Sequence, residues 1–178
     1  MDEETLIKAC VSGNEKAQFQ LFEQFAPKMM AVCLRYAENR EMAEDVLQDS
    51  FVKVFKNLKK FTNEGSLEGW IRRIMVNTSL DAIRKNKKRK FDSQIESVSY
   101  LAPQNDFIEE SLMAEDLMLI INQMPEGYKL VFNLYAIEGY SHKEIAETLG
   151  ISENTSKSQY SRARAYLREI LEKKGIGR

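Results

Sequence analysis

Between Ala43 and Leu58 the small and apolar residues recur in steps of three and four: Ala43, Val46, Leu47, Ser50, Phe51, Val54, Phe55 and Leu58. At the helical period these fall on one face for four turns, whereas a strand would scatter them to both sides. The other side carries Glu44, Asp45, Gln48, Asp49, Lys53 and Asn57. A chain built on this period must bury helix faces against one another. Turn residues point the same way, because 178 residues hold only 8 Gly and 3 Pro. That is too few for the many tight turns of a sandwich or barrel. The expected fold class is all-α, with no convincing strand.

Start and stop signals divide the pattern. Asn14 is placed to cap a helix holding Ala17, Leu21 and Phe25, which Pro27 is expected to stop. Met29, Val32, Cys33 and Tyr36 then recur at helical spacing. Asn63 and Gly65 supply turn chemistry, and Ser66 caps a helix expected to run to about Lys90. Residues 91–107 break the period and contain Pro103, which reads as a tether. The pattern resumes near Ile108. Pro125 suits the first turn of a further helix, whose Leu130, Val131, Phe132, Leu134 and Tyr135 are apolar on most sides before Gly139 ends it. The architecture expected is two small helical domains, 1–92 and 108–178, joined by a flexible linker over 93–107. Each is long enough to bury a modest core.

Charge narrows the function. The chain has 26 Lys+Arg and 27 Asp+Glu, a formal charge of -1. The near balance hides blocks: residues 71–92 carry 8 basic and 2 acidic groups, residues 93–140 carry 1 and 8, and residues 141–178 carry 8 and 5. Two basic stretches around an acidic one suggest two contacts with a polyanion, against the plainer reading of two solvated helix ends. Apolar runs such as Leu117–Ile121 are too short to span a membrane. The acidic start lacks the features of a signal peptide, so a cytoplasmic protein is expected. Cys10 and Cys33 make neither a disulfide framework nor a metal spacing. There is one histidine, His142, at a capping position expected to be exposed, with no Gly-rich phosphate loop and no Ser-His-acid arrangement. These absences argue against an enzyme, and no cofactor or metal is expected.

The C-terminal basic block has an internal logic. Ser141-His142-Lys143-Glu144 is a capping box. Ile145, Ala146 and Leu149 form the inner face of a short helix, and Gly150 stands where a left-handed residue is wanted. Ser152 can cap a second helix to about Lys173. The pattern is that of a helix-turn-helix, in which a small Ala146 lets the helices cross closely. On the second helix, Ser156, Tyr160, Ala163, Leu167 and Ile170 project inward. Asn154, Lys157, Ser158, Ser161 and Arg162 project outward. Short donors, an amide and cations on one face suit a major groove.

The earlier basic block differs. Leu67, Ile71, Ile74, Met75, Thr78 and Ala82 share one arc of a helix. Trp70, Arg73, Asn77, Asp81 and Arg84 share the adjacent arc, followed by Lys85, Lys87, Lys88, Arg89 and Lys90. Cations follow phosphates, an indole stacks on an unpaired base, and an amide bonds a base edge. That mixture fits an opened strand better than duplex alone, although a half-buried Trp70 in a core is an equally ordinary use of the residue.

With both blocks in place the chain resembles the extracytoplasmic-function group of bacterial sigma-70 family sigma factors over nearly its whole length. AEDVLQDSFVKVFKNL (Ala43–Leu58) resembles the region that grips the polymerase clamp helices. GWIRRIMVNTSLDAIRK (Gly69–Lys85) resembles the helix that melts and recognises the -10 element. Met124–Leu171 resembles the -35 recognition domain. The resemblance implies a non-catalytic protein that binds core RNA polymerase through its clamp helices and flap, directs it to promoter DNA and helps to open the -10 element. It also implies an anti-sigma factor as a class of partner. By resemblance, Asp45, Gln48, Asp49 and Phe51 fall in the polymerase-binding helix. Asn63, Trp70, Arg73, Asn77, Arg84 and Lys88 fall at the -10 surface, with loop 62–66 where relatives capture an extruded base. Asn154, Lys157, Ser158, Ser161 and Arg162 fall on the -35 reading helix. The chain departs from the family at Ser156, where valine is usual. The lost burial costs below about 1.5 kcal/mol if the hydroxyl bonds back to the preceding turn. The main alternative is a helix-turn-helix regulator with an N-terminal sensing or dimerisation domain, which leaves the Trp70–Lys90 face unexplained. A helical scaffold that binds only protein leaves both faces unexplained.

Overall fold

The computed structural model describes residues 2–62, 64–93 and 112–173, and every regular element among them is helical. Contacts gather the chain into two compact units, Met1–Asn105 and Asp106–Arg178. The expected linker lies outside the described residues from 94 onward.

The first unit comprises α1 (Glu3–Val11), α2 (Glu15–Leu34), α3 (Arg40–Asn57), a 3-10 turn (Leu58–Lys60) and α4 (Leu67–Ser93). A side-chain oxygen caps each α-helix. Asp2 accepts from the Thr5 amide at 2.8 Å, Asn14 from Ala17 at 3.0 Å, Asn39 from Met42 at 2.8 Å and Ser66 from Gly69 at 3.0 Å. Each bond satisfies an amide that the helix itself leaves unpaired. Helices α2, α3 and α4 pack against one another in pairs, with α1 laid on α2. Leu21, Met29, Val54, Ile71 and Met75 close the centre.

Pro27 does not stop α2, which runs through it for 20 residues. The buried side chains Leu21 and Phe25 precede the proline, and Met29, Val32 and Cys33 follow it in the same stripe. Their packing holds the helix across the missing hydrogen bond, and Pro27 itself faces solvent. The inner face of α4 is also wider than the apolar arc predicts. Val76, Ser79, Leu80 and Ile83 are buried beside Ile71 and Met75, while Ile74 and Ala82 are only half-buried. Ser79 fits there because its hydroxyl donates to the Met75 carbonyl at 2.8 Å.

The second unit comprises α5 (Leu112–Gln123), α6 (Glu126–Phe132), a π-helical turn (Asn133–Ile137), α7 (His142–Leu149) and α8 (Glu153–Lys173). Pro125 stands just outside α6, at its cap. The widened turn ends before Gly139, whose φ of +75° closes the segment. Helix α8 packs on α5, α6 and α7. Its Ala163 meets Ile121 and Met124, ringed by Met118, Tyr128, Phe132, Tyr166 and Leu167. Leu130, Val131 and Leu134 are buried as expected of a central helix, but Tyr135 is exposed on one side.

Candidate functional site

Three surfaces collect the residues singled out by sequence. The first is the outer face of α4. Trp70 is half-buried, its ring centroid 5.6 Å from that of Phe61 at an interplanar angle of 51°. It forms one wall of an open concavity of about 350 Å³, lined also by Lys53, Asn57, Lys60, Ile74, Asn77 and Thr78. Arg73, Asn77, Arg84 and Lys88 are exposed on or beyond the same face. Asn63 lies outside the described residues.

Lys53, Asn57 and Lys60 escaped the sequence reading as members of this site. Their spacing of four and three, continued from α3 into the 3-10 turn, was the available signal. Lys53 Nζ donates to Thr78 Oγ1 at 3.1 Å and stands 3.8 Å from the Asp81 carboxylate, which accepts from Arg84 at 2.9 Å. All three charged side chains are about half exposed. Such pairs are worth no more than about 1 kcal/mol, so an incoming phosphate can displace the carboxylate. An aromatic wall, two amides and a rim of cations suit a flat, uncharged base carried on an anionic backbone.

The second surface is the outer face of α3. Asp45, Gln48 and Asp49 are exposed. Phe51 is not with them, and here the sequence expectation is corrected. It is 3% exposed, its ring 4.7 Å from Phe22 and 6.1 Å from Phe55. Phe51 belongs to the apolar stripe of α3, so it supports the helix from within. The apolar member of the outer face is Val52, 50% exposed, seven residues after Asp45 and three after Asp49.

The third surface is α8. The capping box closes as drawn from sequence: the Glu144 amide donates to Ser141 Oγ at 3.2 Å, and Glu144 Oε2 accepts from the Ser141 amide at 2.8 Å. Gly150 ends α7 at φ +67°, and the Thr155 amide donates to Ser152 Oγ at 3.0 Å to open α8. Asn154, Lys157, Ser158, Ser161 and Arg162 are all exposed. Lys157 pairs with Glu153 at 2.8 Å, and this bond holds the Glu153 carboxyl below its usual range.

Behind that face two expectations change. Ser156 is fully buried, but its hydroxyl lies 2.9 Å from His142 Nδ1 and does not bond back to the preceding turn. His142 is therefore half-buried, with its ring stacked on Tyr135 at 4.3 Å and 14°. Among the described residues no helix is long and apolar enough to cross a membrane, and no group of three metal-ligating side chains gathers.

Comparison with known proteins matches two stretches of the chain to family profiles. The sigma-70 region 2 profile matches residues 21–89, and the sigma-70 region 4 profile matches residues 114–167. The chain is 30% identical over 172 residues to RNA polymerase sigma factor SigV of Bacillus subtilis, covering 96% of this chain and 94% of SigV. It is 28% identical over 158 residues to the ECF RNA polymerase sigma factor SigE of Mycolicibacterium smegmatis, covering 86% of this chain and spanning 61% of that longer protein. Its fold is similar to sigma factor RpoE of Bartonella quintana, solved with the anti-sigma factor NepR, with a TM-score of 0.60 and 25% identity over 86% of this chain and 95% of that one. Two helical units, a tryptophan-walled concavity on one and a helix-turn-helix on the other thus coincide with two profiles in the same order, and the chain belongs to the sigma-70 family of RNA polymerase sigma factors, the promoter-directing subunits of that enzyme, in its extracytoplasmic-function group.

Proposed function

We propose that this sigma factor divides its work among the three surfaces. The outer face of α3, with Asp45, Gln48, Asp49 and Val52, docks on the polymerase clamp helices. The face of α4, with Trp70, Arg73, Asn77, Arg84 and Lys88, holds the opened -10 strand, and the concavity beside Trp70 takes an extruded base. The face of α8, with Asn154, Lys157, Ser158, Ser161 and Arg162, reads the -35 element. The domain boundaries follow: 1–92 for polymerase binding and -10 opening, 108–178 for the flap and -35 recognition, and 93–107 as the tether. The protein contributes binding energy and no bond-making chemistry, and it works in the cytoplasm, where polymerase and template are. The co-crystallised Bartonella relative supports an anti-sigma factor as a further partner.

The observation that carries this reading is the concavity: an indole wall, two amides and two lysines converge on one open hollow. A duplex-binding regulator has no use for it, because a stacked base cannot enter. The test is reconstitution. Core polymerase is incubated with genomic DNA with and without the protein, and the transcripts are sequenced. New starts at a shared promoter pattern are expected. No new starts would end the proposal.

A further inference from the structure

Ser156 stands at the first turn of α8, on the side opposite Asn154, Lys157 and Ser158. It is the single fully buried hydroxyl of that helix among the described residues. A buried hydroxyl needs a partner, because leaving one unpaired costs more than the bond itself contributes. The partner comes from another helix. His142 opens α7, and its Nδ1 lies 2.9 Å from Ser156 Oγ across the turn. The imidazole is fixed on its other side. Tyr135, from the π-helical turn, stacks on it at 4.3 Å and 14°. Tyr160, one turn further along α8, lies 4.5 Å from Tyr135 and 6.0 Å from His142. Three elements thus meet at one ring.

We propose that His142 is the positioning residue of the recognition helix: through Ser156 it fixes the rotation of α8 about its own axis, and with it the aim of Asn154, Lys157, Ser158 and Arg162. The argument is geometric. Apolar contacts such as those of Ala163 are non-directional and tolerate a rotation of α8 within its groove. A hydrogen bond between two helices weakens steeply when its angle is lost. The bond from His142 reaches the first turn of α8 from α7, and that turn carries the residues that would meet base edges. The inference rests on α8 being the DNA-reading helix. His142 itself touches no DNA in this account.

The test uses the full chain, alone for the spectroscopy and with core polymerase for transcription. His142 is the only histidine, so every imidazole signal in a nitrogen NMR spectrum belongs to it. Ser156→Ala is expected to move the Nδ1 resonance. An unmoved Nδ1 signal would overturn the proposal. The second readout is the preference for a promoter over one whose upstream element is scrambled. Ser156→Ala and His142→Phe are each expected to lower that preference by about tenfold, equivalent to about 1.4 kcal/mol, while transcription from the scrambled promoter stays unchanged. The double variant His142→Phe/Ser156→Val replaces the polar pair by an apolar one and is expected to restore the preference to within about twofold. Single variants with full preference, or a double variant as poor as the two losses combined, would overturn the proposal. If the unaltered protein shows no upstream preference, the -35 assignment of α8 fails instead, and the NMR result still decides whether His142 holds Ser156.

Discussion

Cys33 lies fully buried on α2, its Sγ 4.0 Å from the Met75 sulfur. Burial pushes its thiol up to about 11 from 9.0. The consequence for stability has a definite sign. Between those two values the unfolded chain has lost the proton while the folded chain still holds it, so rising pH favours the unfolded state. The first unit is therefore expected to lose stability between pH 9 and 11 more steeply than a Cys33→Ala variant. Urea midpoints measured for both across that range check it, and parallel curves would refute the thiol's part. Gly150 gives a simpler case. Its φ is +67° with nothing within 4 Å of an added Cβ, so Gly150→Ala meets no clash, only the left-handed backbone. A loss of about 1 kcal/mol in the unfolding of the second unit is expected. That glycine was legible because a capping box and an apolar stripe lead up to it. Phe51 was legible too, from the stripe of α3 in which it follows Val46, Leu47 and Ser50; only the family resemblance set it among the partner-facing residues, and its packing on Phe22 agrees with the stripe.

At the scale of elements, local rules held where nothing opposed them and failed where packing did. The four capped helix starts of the first unit follow from Asp2, Asn14, Asn39 and Ser66. The break expected at Pro27 did not occur, because six buried residues on both sides of it outweigh one missing bond. The proline must still cost something. Pro27→Ala restores an amide donor and removes the ring from an exposed stretch of α2. The helix gains up to about 3 kcal/mol, reduced by water already serving the freed carbonyl and by the unfolded-state freedom that alanine returns. A net gain of about 1 to 2 kcal/mol in urea unfolding is expected, and a destabilised variant would mean that the proline shapes a contact of its own. For α8, the inward and outward arcs separate as the period predicts, so Arg162→Ala should leave thermal unfolding unchanged. If Arg162 reads a base edge, the variant loses about 1 to 3 kcal/mol of upstream discrimination. A uniform loss on all promoters would make it a phosphate contact instead.

For the molecule as a whole, the division into two units was legible from the broken period and the charge blocks. What lines the concavity was not, because Lys53 and Lys60 come from a different element from Trp70 and only tertiary packing brings them to it. This arrangement permits two functions to be separated within one unit. Asp45, Asp49, Lys53 and Asn57 follow one another at steps of four on the same side of α3, but the two carboxylates come earlier along the helix, whereas the concavity is built at its C-terminal end with Trp70 of α4. Loss of a docking charge should therefore act on assembly, and loss of the indole should act on opening. Asp49→Ala is expected to weaken the affinity for core polymerase several-fold, measured by fluorescence anisotropy, with opening unchanged once the complex is saturated. Trp70→Ala removes a stacking surface worth about 1 to 3 kcal/mol per base and leaves the α3 face untouched. It should lower the fraction of open promoter, read by permanganate reactivity of unpaired thymines, by about tenfold or more at unchanged core affinity. Equal loss of both properties in either variant would mean that α3 and α4 form one undivided contact.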